Sequence, residues 1–153
     1  MDIIYHDFGG THSVAVASAL HLGQLPTDEK PTKQDIQSLP TFDQVSSQEL
    51  GHLIHQGTDE FDNDVYTVGY KKQSQIALPL IKNTYNLTGN LEELLLVDTK
   101  PTINYTMVLG GVLSRRFGLV KLGRPIVTAG VLKAYPQLVE LVKNVKNKLE
   151  TRN

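Results

Sequence analysis

Residues 2–22 constrain this chain more than any other stretch. Asp2-Ile3-Ile4-Tyr5 reads as a short strand, Gly9-Gly10 as a turn, and Val14 to Leu22 as a helix that is apolar nearly all round. Adjacent β-branched and aromatic residues suit a strand covered on both faces. A helix without a polar face must be covered on more than one side, and its small residues let it lie close to a sheet. The glycines supply conformations that other residues adopt only at a cost. Thr11 or Ser13 is placed to cap the helix through a side-chain oxygen, and Gly23 to end it.

Pro26, Pro31 and Pro40 punctuate residues 24–47, with one short helix expected over Lys33 to Ser38, capped by Thr32 and carrying Asp35 in its first turn. This is expected to be a long surface connection folded over the sheet, anchored by Leu25, Ile36, Leu39 and Phe42, and loops of that length are often functional. Residues 51–70 pattern as a hairpin around an acidic, turn-rich tip at Asp59 to Asp64. A helix follows with Ile76, Leu80, Ile81 and Tyr85, its start set as late as Leu78 by Pro79. Leu94 to Asp98 is the clearest buried strand. Pro101 opens a further helix that ends near Ser114-Arg115-Arg116, and Gly110-Gly111 allows it a close crossing. Ile126 to Gly130 is read as the last strand, with a helix start as the alternative, and Leu132 to Leu149 as the final helix. The expected architecture over residues 1–153 is a single α/β domain. It has three layers, a mostly parallel sheet flanked by helices in the manner of P-loop and Rossmann-like proteins, and a hairpin insertion.

Composition excludes several classes. The 153 residues contain no cysteine, which removes disulfides, thiolate metal sites and a cysteine nucleophile. Fifteen Lys and Arg against 16 Asp and Glu give no charge that calls for nucleic acid or an anionic membrane. No apolar run approaches the ~20 residues of a spanning helix, and no signal-peptide pattern is visible. The expectation is a cytoplasmic protein.

Four features carry candidate chemistry. Gly9-Gly10-Thr11-His12-Ser13 offers free amides, two hydroxyls and an imidazole at a helix N-terminus, a setting that suits phosphate. It departs from the Walker A pattern, since His12 stands where the lysine would be. Asp98, at the end of a buried strand, is expected to face the same crevice and to position a magnesium ion or water; Mg²⁺ is the only cofactor suggested. Arg115, Arg116 and Arg124 are candidate anion clamps, Arg124 first among them because its place between Gly123 and Pro125 predicts a rigid loop. His6, Asp7 and His12 lie close along one loop and form the weaker candidate for a metal.

The segments Tyr5, Gly9-Gly10-Thr11-His12-Ser13, His21-Leu22-Gly23, Gly57-Thr58-Asp59, Leu96-Val97-Asp98-Thr99, Leu113-Ser114-Arg115-Arg116 and Leu122-Gly123-Arg124-Pro125 together resemble a small family of Gram-positive bacterial proteins, domain of unknown function 3189. The resemblance runs over nearly the whole chain. It implies a stand-alone domain and brings no activity, so no catalytic residue is carried over. The likeness to P-loop proteins is one of layout only.

These residues predict a protein that binds phosphate, a nucleotide or another phosphorylated small molecule. Phosphoryl transfer or hydrolysis would use His12 and Asp98 as catalytic groups, with Gly9, Gly10, Thr11, Ser13 and the arginines holding the anion. Two alternatives stand beside it. One is a non-catalytic interaction or regulatory module with a protein partner or a second copy of itself. The other is a metal-dependent hydrolase built on His6, Asp7 and His12.

Overall fold

A strand buried on both faces belongs inside a sheet, and β1 (Asp2–Asp7) lies there. The computed structural model describes residues 1–151. It joins β1 to β2 (Ile54–Thr58), β3 (Asp64–Gly69) and β4 (Leu94–Asp98) in the order β2-β3-β1-β4. β1 pairs in parallel with β3, from Asp2 opposite Asp64 to Asp7 opposite Gly69, and with β4, from Asp2 opposite Leu94 to His6 opposite Asp98. β2 runs antiparallel to β3 at one edge, with an irregularity between His55 and Gly57. The sheet is open and mixed. The hairpin at 51–70 is therefore not an insertion: its second arm, β3, is the parallel neighbour of the central strand, and only β2 is an antiparallel edge.

Alternate side chains of β1 serve opposite faces. Tyr5 and Asp7 bond to His21 and Ser13 at the two ends of α1 (Ser13–His21), while Asp2 accepts from the Tyr85 hydroxyl of α3 (Ser74–Leu87). Every residue of α1 is buried, because α5 (Val120–Glu150) packs over it. Val14, Val16 and Leu20 meet Val131, Tyr135 and Leu138 in one core. α3 begins at Ser74, earlier than the Leu78 limit read from Pro79, and runs through that proline.

The 24–47 segment closes over the helical layer. Its short helix α2 (Lys33–Ser38) carries a complete capping box between Thr32 and Asp35. Leu25, Ile36, Leu39 and Phe42 are all buried. Tyr135 donates to the Pro26 carbonyl at 2.5 Å, and Gln37 donates to Thr128 at 3.1 Å.

Ile126 to Gly130 is helix, not strand. α5 continues through Pro125 and Pro136 for 31 residues. The reason is a close crossing with α4 (Tyr105–Gly111) and the π-helical turn Val112–Arg116 that follows it. A Cβ on Gly110 would stand 2.2 Å from the Val127 nitrogen, and one on Gly123 would stand 2.3 Å from the Ser114 nitrogen. Burial of Val127 and Val131 in that crossing overrides the strand preference of the β-branched run. Arg124 accordingly sits on a helix, not in a loop leading to a strand. No helix among the described residues is long and apolar enough to cross a membrane.

A buried polar chain ties the hairpin tip to this core. Tyr5 Oη lies 2.8 Å from His21 Nδ1, and His21 Nε2 lies 3.0 Å from Asp59 Oδ2. Burial lowers the His21 pKa below its ordinary 6.5, against the pull of Asp59. Burial also pushes the Asp59 carboxyl up, yet hydrogen bonds from Asn63, His21 and Phe61 prevail and hold it at about 2. The unfolded chain therefore takes up protons more readily at both groups. Stability is predicted to decline as pH falls below 6.5 through His21, and further below 3.8 through Asp59. Urea unfolding midpoints at about pH 8, 5 and 3 check this; midpoints that hold or rise toward acid contradict it.

Candidate functional site

The turn after β1 is closed by its own carboxylate. Asp7 Oδ1 accepts the Gly10 amide at 2.5 Å, and Asp7 Oδ2 accepts the Ser13 hydroxyl. Ser13 Oγ also lies 3.0 Å from Thr99 Oγ1, just past the end of β4. Gly10 takes φ +68°, and a Cβ there would stand 2.6 Å from the Gly69 nitrogen, so only glycine fits between β3 and the turn. No side chain caps α1. Ser13 is committed to Asp7, and Thr11 donates to the Thr41 carbonyl at 2.8 Å. The anion that completes this turn is part of the chain.

Beside that turn, three distant segments meet at Asp43. Its Oδ1 lies 3.0 Å from His12 Nε2, and its Oδ2 accepts the Ser114 hydroxyl at 2.5 Å. The Asp43 amide donates to Thr11 O at 3.1 Å, and Arg115 donates to the Asp43 carbonyl at 3.1 Å and to that of Val45. Asp43 takes φ 56°, a left-handed conformation that aspartate tolerates better than most residues. Burial pushes its carboxyl up, but the hydrogen bonds from His12 and Ser114 and the charge of Arg115 hold it below the ordinary aspartate value. Ser114 and Arg115 both reach this loop from the π turn, and such turns recur at functional sites. With Nε2 engaged, Nδ1 is the His12 nitrogen left without a hydrogen-bond partner among the described residues. A Cβ on Gly111 would stand 3.2 Å from His12 Cε1, so glycine there leaves the ring its room.

A cleft of about 860 Å³ opens over these groups. Its floor holds Gly9, Thr11, His12 and Ser13, and one wall is apolar, from Ile103, Met107, Val108 and Val112. Lys71, Arg115 and Arg116 bring positive charge to it, and Phe8, half exposed, stands at its edge. Arg116 has no hydrogen-bond or ion-pair partner among the described residues.

The structure thus brings Gly9, Thr11, His12, Ser13, Arg115 and Arg116 to one cleft, with Gly10 bound into the turn beneath. It places Asp98 and Arg124 elsewhere. Asp98 pairs in register with His6, on the sheet face opposite Tyr5 and Asp7. It accepts the Lys100 amide at 2.9 Å and contacts Lys100 Nζ at 3.2 Å. The expectation that it faces the same crevice fails because side chains alternate along a strand. Arg124 donates to the carbonyls of Phe42 (3.1 Å) and Gln37 (3.5 Å), holding the loop that carries Asp43. His6, Asp7 and His12 diverge: His6 lies 3.2 Å from the Tyr70 hydroxyl, across the sheet from the other two. No group of three or more such side chains among the described residues is arranged to hold a metal ion. Asp43 escaped the sequence reading; its one signal was its place in a long, proline-punctuated loop.

The family model described as Protein of unknown function (DUF3189) matches residues 2–147, and the chain belongs to that family. Comparison with curated proteins and with solved structures finds no match in either.

If Asp7 is the anion of its own turn, Asp7→Ala should lower stability by about 3 kcal/mol, since it strands the buried Gly10 amide and takes the carboxylate acceptor from the buried Ser13 hydroxyl, leaving it Thr99 alone. Asp7→Asn, which keeps an acceptor, should lose less. Urea denaturation measures both, and an Asp7→Ala protein as stable as the parent contradicts the assignment.

Proposed function

We propose that this member of the DUF3189 family binds a phosphorylated small molecule, a nucleotide among the candidates, in the cleft beside His12. The observation that carries the reading is an imidazole backed by a buried carboxylate and presented to a cleft that also holds Arg116, unpaired among the described residues. A histidine so backed is oriented through one nitrogen and left to exchange a proton through the other. An arginine fork suits the oxygens of a phosphate. The strand order supports a Rossmann-like layout. The chain leaves β1 toward the α1 face and leaves β3 toward the α3 face, and ligands favour the crevice at such a switch point. Phe8, Gly9 and Lys71 line the cleft there.

In this reading Arg116, with Lys71, holds the phosphate, and His12 Nδ1 gives a proton to the leaving oxygen or takes one from attacking water. Asp43 holds the ring and favours its charged form in the transition state. The reading uses the cleft and not the turn amides, because Asp7 already satisfies Gly10. The residues do not fit a magnesium site: both carboxylates here, Asp7 and Asp43, are occupied by protein donors, and Asp98 lies across the sheet. No step is routed through a metal. A second reading, a non-catalytic interaction module, draws support from the exposed apolar residues Tyr105, Leu109, Phe117 and Leu122 around α4 and the start of α5.

A thermal-shift panel of inorganic phosphate, sugar phosphates and nucleotides tests the proposal. A ligand at about 100 times its Kd should add about 2.7 kcal/mol and raise the Tm. Arg116→Ala should weaken that response at least tenfold in ligand concentration while the unliganded Tm moves little; His12→Ala should weaken it as much and also lower the unliganded Tm, because it takes a donor from the buried Asp43 carboxylate. No shift across the panel contradicts the proposal and favours the interaction module.

A further inference from the structure

Beyond Phe8 the cleft has a neighbour. A second hollow of about 450 Å³ is lined by Phe8, Leu50, Gly51, Tyr70, Lys71 and Ala77, among others. Phe8, Leu50 and Lys71 line both spaces, so the two adjoin along a ridge formed by these side chains. The ridge is fixed by the backbone. The Lys71 amide donates to Phe8 O at 2.8 Å, the Tyr70 amide donates to Asp7 O at 3.3 Å, and Lys71 takes φ 50°.

The chemistry of the hollow differs from that of the cleft. Tyr70 is almost wholly buried, and its hydroxyl is turned to His6 Nδ1 at 3.2 Å, which removes its polar atom from service. Leu50, Ala77 and Phe8 add apolar surface. Phe8 is 51% exposed, and no aromatic ring among the described residues stacks on it. A large ring left half in water at the junction of two concave spaces is an unfilled stacking platform. Lys71 lines both spaces and so brings a positive charge to their junction.

We infer that the hollow is a subsite for a planar aromatic group, so that the ligand is an aryl or heteroaryl phosphate ester. Its phosphate lies by His12 and Arg116, and its ring crosses Phe8 toward Tyr70 and Ala77. This rests on the phosphate reading of the cleft. The ring is recognised by stacking and apolar contact, which a nucleobase and a simple aryl group share.

Calorimetric titration with inorganic phosphate, 1-naphthyl phosphate, adenosine 5′-monophosphate and ribose 5-phosphate tests the inference. At least one of the two ring-bearing esters should bind ten times more tightly than its ringless counterpart, and the one that does names the source of the ring. Ala77→Phe, which fills the hollow, should erase that gain and leave the phosphate Kd within twofold; Ala77→Ser should keep it. In the unaltered protein, the bound ring should shift the Ala77 and Leu50 methyl resonances by its ring current, a readout independent of any variant. Equal binding with and without the ring, a gain that survives Ala77→Phe, or unmoved methyl resonances overturns the subsite while leaving the phosphate reading intact. Failure of every phosphate compound to bind overturns both.

Discussion

The Asp43 carboxylate is the interaction on which the site depends. Burying a carboxylate costs several kcal/mol unless donors surround it, and this one is answered by His12 and Ser114, with Arg115 on its main chain. Those donors come from the first turn, 31 residues before Asp43, and from a π-helical turn 71 residues after it. Asp43 can be buried only if all three segments arrive together. Its left-handed backbone and the Thr11 contacts fix the direction of approach. The glycines of the α4–α5 crossing fix where Ser114 stands. Removal of the carboxylate would leave a half-buried imidazole and a buried hydroxyl without partners, so the cost would fall on the cleft itself.

Asp7 gives the neighbouring turn a different character from a phosphate loop. In a phosphate loop the amides stay open until an anion arrives. Here a side chain from the preceding strand takes that place, bonding Gly10 and Ser13. A second anion among those amides would meet the Asp7 charge at close range, which is unfavourable with little water to screen it. The same turn still presents His12 to the cleft. Its role in the proposed function is to mount an imidazole, with the positive charge supplied by Arg116 and Lys71. The absence of a lysine at position 12 fits that division.

Local order was legible wherever sequence neighbours decide it. The Asp2–Leu22 succession and the Thr32 cap follow from periodicity and capping chemistry, whereas Leu94–Asp98 is a strand as read but an edge strand, with only Val97 buried. The 24–47 segment showed its anchors but not the place of Asp43, because the partners of that carboxylate lie 31 and 71 residues away. Ile126 to Gly130 misled because strand preference is a weak force beside a helix crossing close enough to exclude a Cβ. Asp98 misled for a simpler reason. A strand end locates the edge of the sheet but not the face, and one residue of register decides between them.

The most direct test of this account is an amide-resolved NMR titration of the ¹⁵N-labelled protein with a phosphate ester that binds. The account predicts that the largest changes fall on His12, Phe8, Gly111 and the residues around Arg116. The Gly10 amide, held by Asp7, should keep its resonance and its protection from exchange. Dominant changes at the Gly10 and Ser13 amides, with those around Arg116 unmoved, would show that the turn opens to take the anion itself and would contradict it.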